Sequence, residues 1–408
     1  MTNVLSLKQA PIYRFEQYLS SKKGIVVFYI LFFGLLVLSI YARWRGLSLV
    51  GQDMKEFLLP WYNIILQHGG FEALRDTSFS NYTPPYLYLL ALSTYFPAIP
   101  NVIAIKIFSI VFDVLCTVAV YFTARCFLGR RSSWLVALIA LLLPTVWVDS
   151  AWWGQCDSIF TAFLLLTLLF ILKQKPWLAI AMFTIAFTFK FQAIFLAPFI
   201  LLMFLARKIP WKTLIIVPIV FLLMMLPTFI AGQPILNSLT IYIRQTDSYQ
   251  LLTKNAPSLF AFFSNNSSPQ LGWIGFFLAG VGTLVYLRLG WKQRNELTRA
   301  RMVELAMISL MVLPFLLPRM HERYFYAAAL FSIPLICARP RLLVVPFVLQ
   351  FTTLLSYFPY LYAKDLVPLW VLAAINLGVI VALIFYWQTQ NRALKTPKLI
   401  GFDSKTAG

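Results

Sequence analysis

The chain is 408 residues long, 60% hydrophobic and only 12% charged, with 37 Phe, 19 Tyr and 12 Trp spread along it and a mean hydropathy of +0.78. An ordinary soluble domain is about 45–50% apolar and about 25% charged, so the composition excludes a soluble, disordered, coiled-coil or disulfide-scaffold protein and defines an all-α polytopic membrane protein. The net charge of +20 does not point to nucleic acid, because the cations punctuate apolar runs instead of gathering on one face.

A helix of about 20 residues crosses the roughly 30 Å hydrocarbon layer. In chain order, apolar segments are predicted near 24–43, 102–124, 133–149, 158–172, 176–190, 192–206, 213–231, 271–288, 303–318, 324–337, 342–360 and 366–387. The two beside Lys190 are short enough to form one bent hairpin, so the expected number of transmembrane helices is about 11–13 within a single integral-membrane domain, 1–408. Alternate connections carry Lys8, Arg14, Lys22 and Lys23; Arg125, Arg130 and Arg131; Lys173 and Lys175; Arg207, Lys208 and Lys212; Arg288 to Arg301; Arg339 and Arg341; and the tail, 388–408. By the positive-inside rule these are cytoplasmic, with anionic lipid as their partner. No small-residue cleavage site follows the segment at 24–43, so it is expected to remain as the first helix.

The other side holds two longer loops. In 44–101, Phe57, Trp61, Ile64 and Ile65 fall at helical spacing behind Asp53, Lys55 and Glu56, which predicts a helix lying in the interface and ending at Gly69-Gly70. Pro84 and Pro85 then open a stretch to Phe96 that is too short to span. The second outer loop, 232–270, contains TDSYQLLTKNAPSLFAFF and the polar run Ser264 to Ser268.

With only 14 acids in the chain, each one near an apolar run can be weighed. Asp53 reads either as the cap of the interfacial helix or as a general base at the membrane surface. Asp149 and Asp157 bracket SAWWGQC, where Trp152 and Trp153 are either interfacial anchors or a sugar-stacking surface beside Gln155 and Asp157; Asp157 also reads as the cap of the next helix. Asp113 lies mid-span and is expected to pair with Lys106, two turns earlier on the same face. Lys190, at the outer end of its helix, is expected to meet an anionic headgroup. In LLPRMHERYFY, Arg319, His321, Glu322 and Arg323 stand against the charge bias of that side: either an ion pair with snorkelling arginines, or a grip on phosphate. Cys116, Cys126, Cys156 and Cys337 show no CxxC spacing and there are two histidines, so neither a disulfide framework nor a metal site is expected.

Five strings in order, DMKEFLLPWY, SNYTPPYLYLLAL, WGQCDSIF, FTFKFQAIFLAPF and RMHERYFY, resemble the integral-membrane glycosyltransferases of the GT-C superfamily. The likeness is greatest to bacterial relatives of the GPI mannosyltransferase II family, and the KFQA and HERY segments are also similar to dolichol-phosphate-glucose-dependent glucosyltransferases. The resemblance implies a GT-C fold, a polyprenyl-phosphate-linked sugar as donor, a lipid-linked or glycan acceptor, and hexose transfer, with mannose favoured, on the non-cytoplasmic face. It implies Asp53 as catalytic base and Lys190, His321 and Arg323 as ligands of the donor phosphate, with Glu56, Trp152, Gln155 and Asp157 toward sugar or acceptor. Asp53 is followed by Glu56 and not by a second Asp, so no metal or other cofactor is expected. The chain is further expected to act as a monomer in a bacterial inner membrane. A secondary transporter or lipid flippase is the alternative, suggested by outward helices broken at Leu143-Pro144, Leu226-Pro227 and Leu313-Pro314.

The charge asymmetry predicts that cysteines placed at Lys55 and Arg130 label from opposite sides of the membrane, with Arg130 cytoplasmic. Labelling of both from one side would contradict it.

Overall fold

The computed structural model describes residues 11–234, 236, 237, 240, 241, 251–263 and 270–395. The polar run Ser264 to Ser268 and the tail beyond 395 lie outside the described residues. The architecture is all-α. Helix α1 is Pro11–Ser20, α2 Lys22–Trp44, α3 Leu59–Gln67, α4 Pro84–Thr94, α5 Asn101–Ala124, α6 Arg130–Leu142, α7 Asp157–Leu172 and α8 Pro176–Phe189. These are followed by α9 Ala197–Leu205, α10 Ile216–Ile230, α11 Gln270–Lys292, α12 Arg299–Leu316, α13 Tyr326–Ala338, α14 Val344–Tyr362 and α15 Leu369–Lys395.

Every predicted apolar segment is helical, but the helices fall into two kinds. Among the described residues six are long and apolar enough to cross a membrane, seven when the pair Arg130–Leu142 and Pro144–Trp153 counts as one span bent by 49°. Pro144 causes that bend, since its ring removes a backbone donor and disfavours helix at Leu143 before it. The remaining segments include the short α8 and also α7 and α13, the last two with residues mostly enclosed by other helices. On α13, Ala327, Ala328 and Ala329 are buried against neighbours, and small side chains there let helices approach closely. The long helices carry the lipid-facing surface: Val26, Ile30, Phe33 and Val37 on α2 are exposed, as are Phe277 and Leu284 on α11.

The mid-span charges pair across helices. Asp113 does not meet Lys106; its Oδ2 accepts from Arg43 of α2, Nε at 3.1 Å and Nη2 at 2.8 Å, and from the Ser150 hydroxyl at 2.6 Å. Lys106 is fully buried, and its Nζ donates to the carbonyls of Gly46 (2.8 Å), Leu49 (2.7 Å) and Trp152 (3.2 Å). The reason is side-chain direction. Helical side chains point toward the N-terminus of their helix, so Lys106, in the second turn of α5, reaches the loop end of the bundle, while Asp113, deeper, is left for Arg43.

Removing one member of a buried pair leaves an uncompensated charge, at a cost of about 3–5 kcal/mol, whereas replacing both by apolar groups costs far less. Arg43→Met is therefore expected to lower the melting temperature in detergent clearly, and Arg43→Met with Asp113→Leu to recover most of the loss. A double variant no more stable than the single one would contradict the pairing.

Candidate active site

Two π-helical segments, Met54–Leu58 and Val148–Trp153, enter the loop end of the bundle from different directions. Such wide turns re-aim side chains and recur at functional sites. Gly154 follows the second in the left-handed conformation, φ 85°, where other residues are strained; a Cβ there would lie 2.6 Å from Met54 Cε. This turn brings both Trp153 and Gln155 onto Asp53.

Asp53 is buried and makes no capping hydrogen bond. Its Oδ2 accepts from Trp153 Nε1 at 3.0 Å and Gln155 Nε2 at 2.6 Å, and its Oδ1 accepts from the Tyr360 hydroxyl. The capping reading is therefore displaced by donors from remote parts of the chain. The side-chain carbonyl of Gln155 in turn accepts from Arg323 Nη1 and from the Tyr82 hydroxyl at 3.1 Å, so one amide joins the carboxylate to the HERY segment.

Around Arg323 the charges are arranged in alternation. Its Nε donates to Glu322 Oε1 at 3.0 Å, its Nη1 lies 3.3 Å from Asp157 Oδ2, and its guanidinium stands 5.0 Å from the Trp153 ring centroid. Asp157 is the first residue of α7 and does not cap it; its other oxygen accepts from Lys190 Nζ at 2.7 Å. A parallel strand pair, β1 Thr253–Lys254 with β2 Met320–His321, reinforced by Arg319 N donating to Leu252 O at 2.8 Å, docks Lys254 beside His321. Lys254 Nζ lies 5.7 Å from the Tyr360 ring centroid.

These residues line a cleft with about 430 Å³ of empty space, open mouth included: Asp53, Gln155, Lys254, His321, Glu322, Arg323 and Tyr360, with Phe57, Trp61 and Tyr82 as an aromatic wall. Burial, reinforced by the charges of Arg323, Lys254 and Lys190, holds the His321 imidazole well below its ordinary pKa. Burial and these charges favour the neutral imidazole of His321, a hydrogen-bonding group. Its Nδ1 is 3.8 Å from Glu322 Oε2, too far for a hydrogen bond. Burial also pushes the Glu322 carboxyl up, with Arg323 opposing; its Oε2 has no hydrogen-bond partner among the described residues.

The structure brings Asp53, Gln155, His321 and Arg323 together at the cleft wall, with Asp157 directly behind. Lys190 stands one layer back, on Asp157. Glu56 and Trp152 are not part of the lining. Glu56 is exposed and accepts from Gln52 Nε2 at 2.8 Å, one turn away on the same surface. Trp152 donates from Nε1 to Ala42 O at 2.9 Å and packs on Gly46, where a Cβ would come within 1.9 Å of its ring, so it anchors the end of α2. Sequence reasoning missed Tyr360 and Lys254. Tyr360 looks like any belt aromatic at a span end, but Lys254 carried a signal, one of two cations, with Arg244, in the loop 232–270.

A family match and a likeness of fold define an integral-membrane glycosyltransferase with the GT-C fold. The model of glycosyltransferase family 87 matches residues 79–315, more than half of the chain. The chain belongs to glycosyltransferase family 87. Asp53, Arg323 and Tyr360 lie outside the matched segment, while Tyr82, Gln155, Asp157, Lys190 and Lys254 lie within it. Among solved structures, ArnT from Cupriavidus metallidurans, in a crystal structure bound to undecaprenyl phosphate, is similar in fold at a TM-score of 0.52 and 14% identity, covering 91% of this chain and 79% of that one. No curated protein matched the chain by sequence. The finer likeness to the GPI mannosyltransferase II family has no counterpart among these matches.

Proposed function

We propose that the chain transfers a hexose, with mannose favoured, from a polyprenyl-phosphate donor to a hydroxyl of a lipid-linked or glycan acceptor, on the non-cytoplasmic side of a bacterial inner membrane. The observation that carries this reading is the placement, in one cleft, of the Asp53 carboxylate against Lys254, His321 and Arg323. A base and a set of phosphate donors are what displacement at an anomeric carbon requires.

In this mechanism Asp53 takes the proton of the acceptor hydroxyl as its oxygen bonds to the anomeric carbon. The bond from that carbon to the phosphate oxygen breaks, and its electron pair leaves on the lipid phosphate. Arg323 and Lys254 stabilise that anion electrostatically and His321 by hydrogen bonding. Arg323 offers five N–H donors, more than its three described bonds to Glu322, Gln155 and Asp157 use. Lys190 acts through Asp157, holding the carboxylate that orients Arg323. The phosphate is a good leaving group, so the reaction is proposed to need no metal or other cofactor, and displacement assisted by one base gives inversion. The aromatic wall of Phe57, Trp61 and Tyr82 suits the apolar face of a sugar ring. The transporter reading is weaker, because it needs a substrate site near mid-span and Asp113, the acid placed there, is already held by Arg43 and Ser150.

The test is transfer by the purified protein in vesicles containing polyprenyl-phosphate mannose and a chelator, with the product anomer read by NMR. Transfer with inversion is expected, and Arg323→Ala should weaken donor affinity about ten- to a hundredfold, the worth of one charge-assisted hydrogen bond. Retention of configuration, dependence on added Mg²⁺, or an unchanged donor titration for Arg323→Ala would each contradict the part it addresses.

A further inference from the structure

A second cavity lies at the other end of the bundle. Helix α2 runs from Lys22 to Trp44, and the cleft follows its C-terminal end; this cavity opens beside its first half, between α1, α2 and the start of α6. It has about 1230 Å³ of empty space, mouth included, against about 430 Å³ for the cleft. Its wall is aromatic: Phe28 and Phe32 of α2, with the Phe32 ring centroid 5.9 Å from that of Trp134 on α6 in an edge-on arrangement. This wall runs directly into the exposed apolar face of α2, at Tyr29, Ile30 and Phe33.

The rim is cationic. Arg130 is exposed at the start of α6 and lines the cavity, as does Arg131, whose Nη1 donates to Leu19 O at 2.9 Å and so fixes its guanidinium at the mouth. Lys22 and Lys23 are exposed on the adjacent turn. Among the described residues the only acid lining the cavity is Glu16, and its Oε1 is engaged by the Gly129 amide at 2.6 Å, which ties α1 to α6. A groove with an apolar floor continuous with the lipid-facing surface and a cationic rim matches an amphiphile with an anionic head. A soluble anion would leave the aromatic wall unmatched, and a zwitterionic head would place its own ammonium against the arginines.

We propose that this groove is a binding site for an acidic glycerophospholipid, with its phosphate on Arg130 and Arg131 and an acyl chain against Phe28, Phe32 and Trp134. The site is separate from the cleft and does not depend on the reaction assigned there.

The test reconstitutes the full chain in equimolar phosphatidylglycerol and phosphatidylcholine, extracts it gently and counts retained lipid by native mass spectrometry. The wild type is expected to retain phosphatidylglycerol preferentially. Arg130→Gln should reduce that preference about fivefold, the worth of one basic residue at an anionic surface, while Arg130→Lys should keep most of it. Arg341→Gln, at an exposed cation outside the groove, should have little effect. Because Arg130 is exposed, Gln is expected to leave folding intact, with unchanged sugar transfer in detergent as the control. Equal retention of the two lipids, equal losses from Arg130→Gln and Arg341→Gln, or displacement of the lipid by inorganic phosphate alone would overturn the assignment.

Discussion

A buried carboxylate must be satisfied or it costs several kcal/mol, and at the loop end of this bundle that requirement organises everything else. Asp53 collects donors from Trp153, Gln155 and Tyr360, which reach it from two other parts of the chain. The Trp153 and Gln155 bonds depend on the π-helical turn at Val148–Trp153 and the left-handed Gly154, and the Tyr360 bond on the end of α14. Lys106 reinforces the arrangement from beneath, tying the carbonyls of Gly46 and Leu49, just before Asp53, to that of Trp152. Arg43 and Asp113 do the same one layer deeper, through Ser150. The carboxylate is held on rigid elements even though it sits in a loop, which is what a site needs to keep its geometry while a substrate enters.

The cations of the site are not a bare positive patch. Lys190 and Arg323 share Asp157, and Arg323 also leans on Glu322, so the charges alternate in a low-dielectric setting where uncompensated cations would repel. Such pairing fixes the guanidinium in orientation and lowers the reorganisation needed when a phosphate arrives. Burial disfavours the charged form of His321, and the nearby cations act in the same sense. Lys254, delivered by the two-residue strand pair, lets a further loop contribute to the site beside the HERY turn.

The helices were legible because lipid imposes length and apolarity on each span, and the runs from 24–43 to 366–387 all proved helical. Buried short helices such as α13 show the same composition for a different reason, enclosure by protein, so a count of spans from hydropathy overstates how many touch lipid. Asp53, Gln155, Asp157, His321 and Arg323 were legible because polar residues are scarce in this chain and their strings resembled a known family. Partners were not. Asp113 and Lys106 share a helix face, yet Lys106 reaches past the start of the helix to loop carbonyls while Asp113 stays two turns deeper, and Arg43 lies 70 residues from Asp113 in sequence. Trp152 and Trp153 are adjacent and indistinguishable by type, but only Trp153 turns to the carboxylate, because the wide turn rotates it inward. Tyr360 could not be singled out without knowing which span end closes over Asp53.

The central claim is that Asp53 accepts the acceptor's proton, and the most direct measurement is the single-turnover rate of Asp53→Asn beside its donor affinity. Asparagine keeps the size of the side chain and one oxygen acceptor but takes up no proton. The account predicts near-normal donor binding and a fall in transfer rate on the order of 10²–10⁴, the contribution of a general base. Near-normal turnover by a folded Asp53→Asn protein would contradict it.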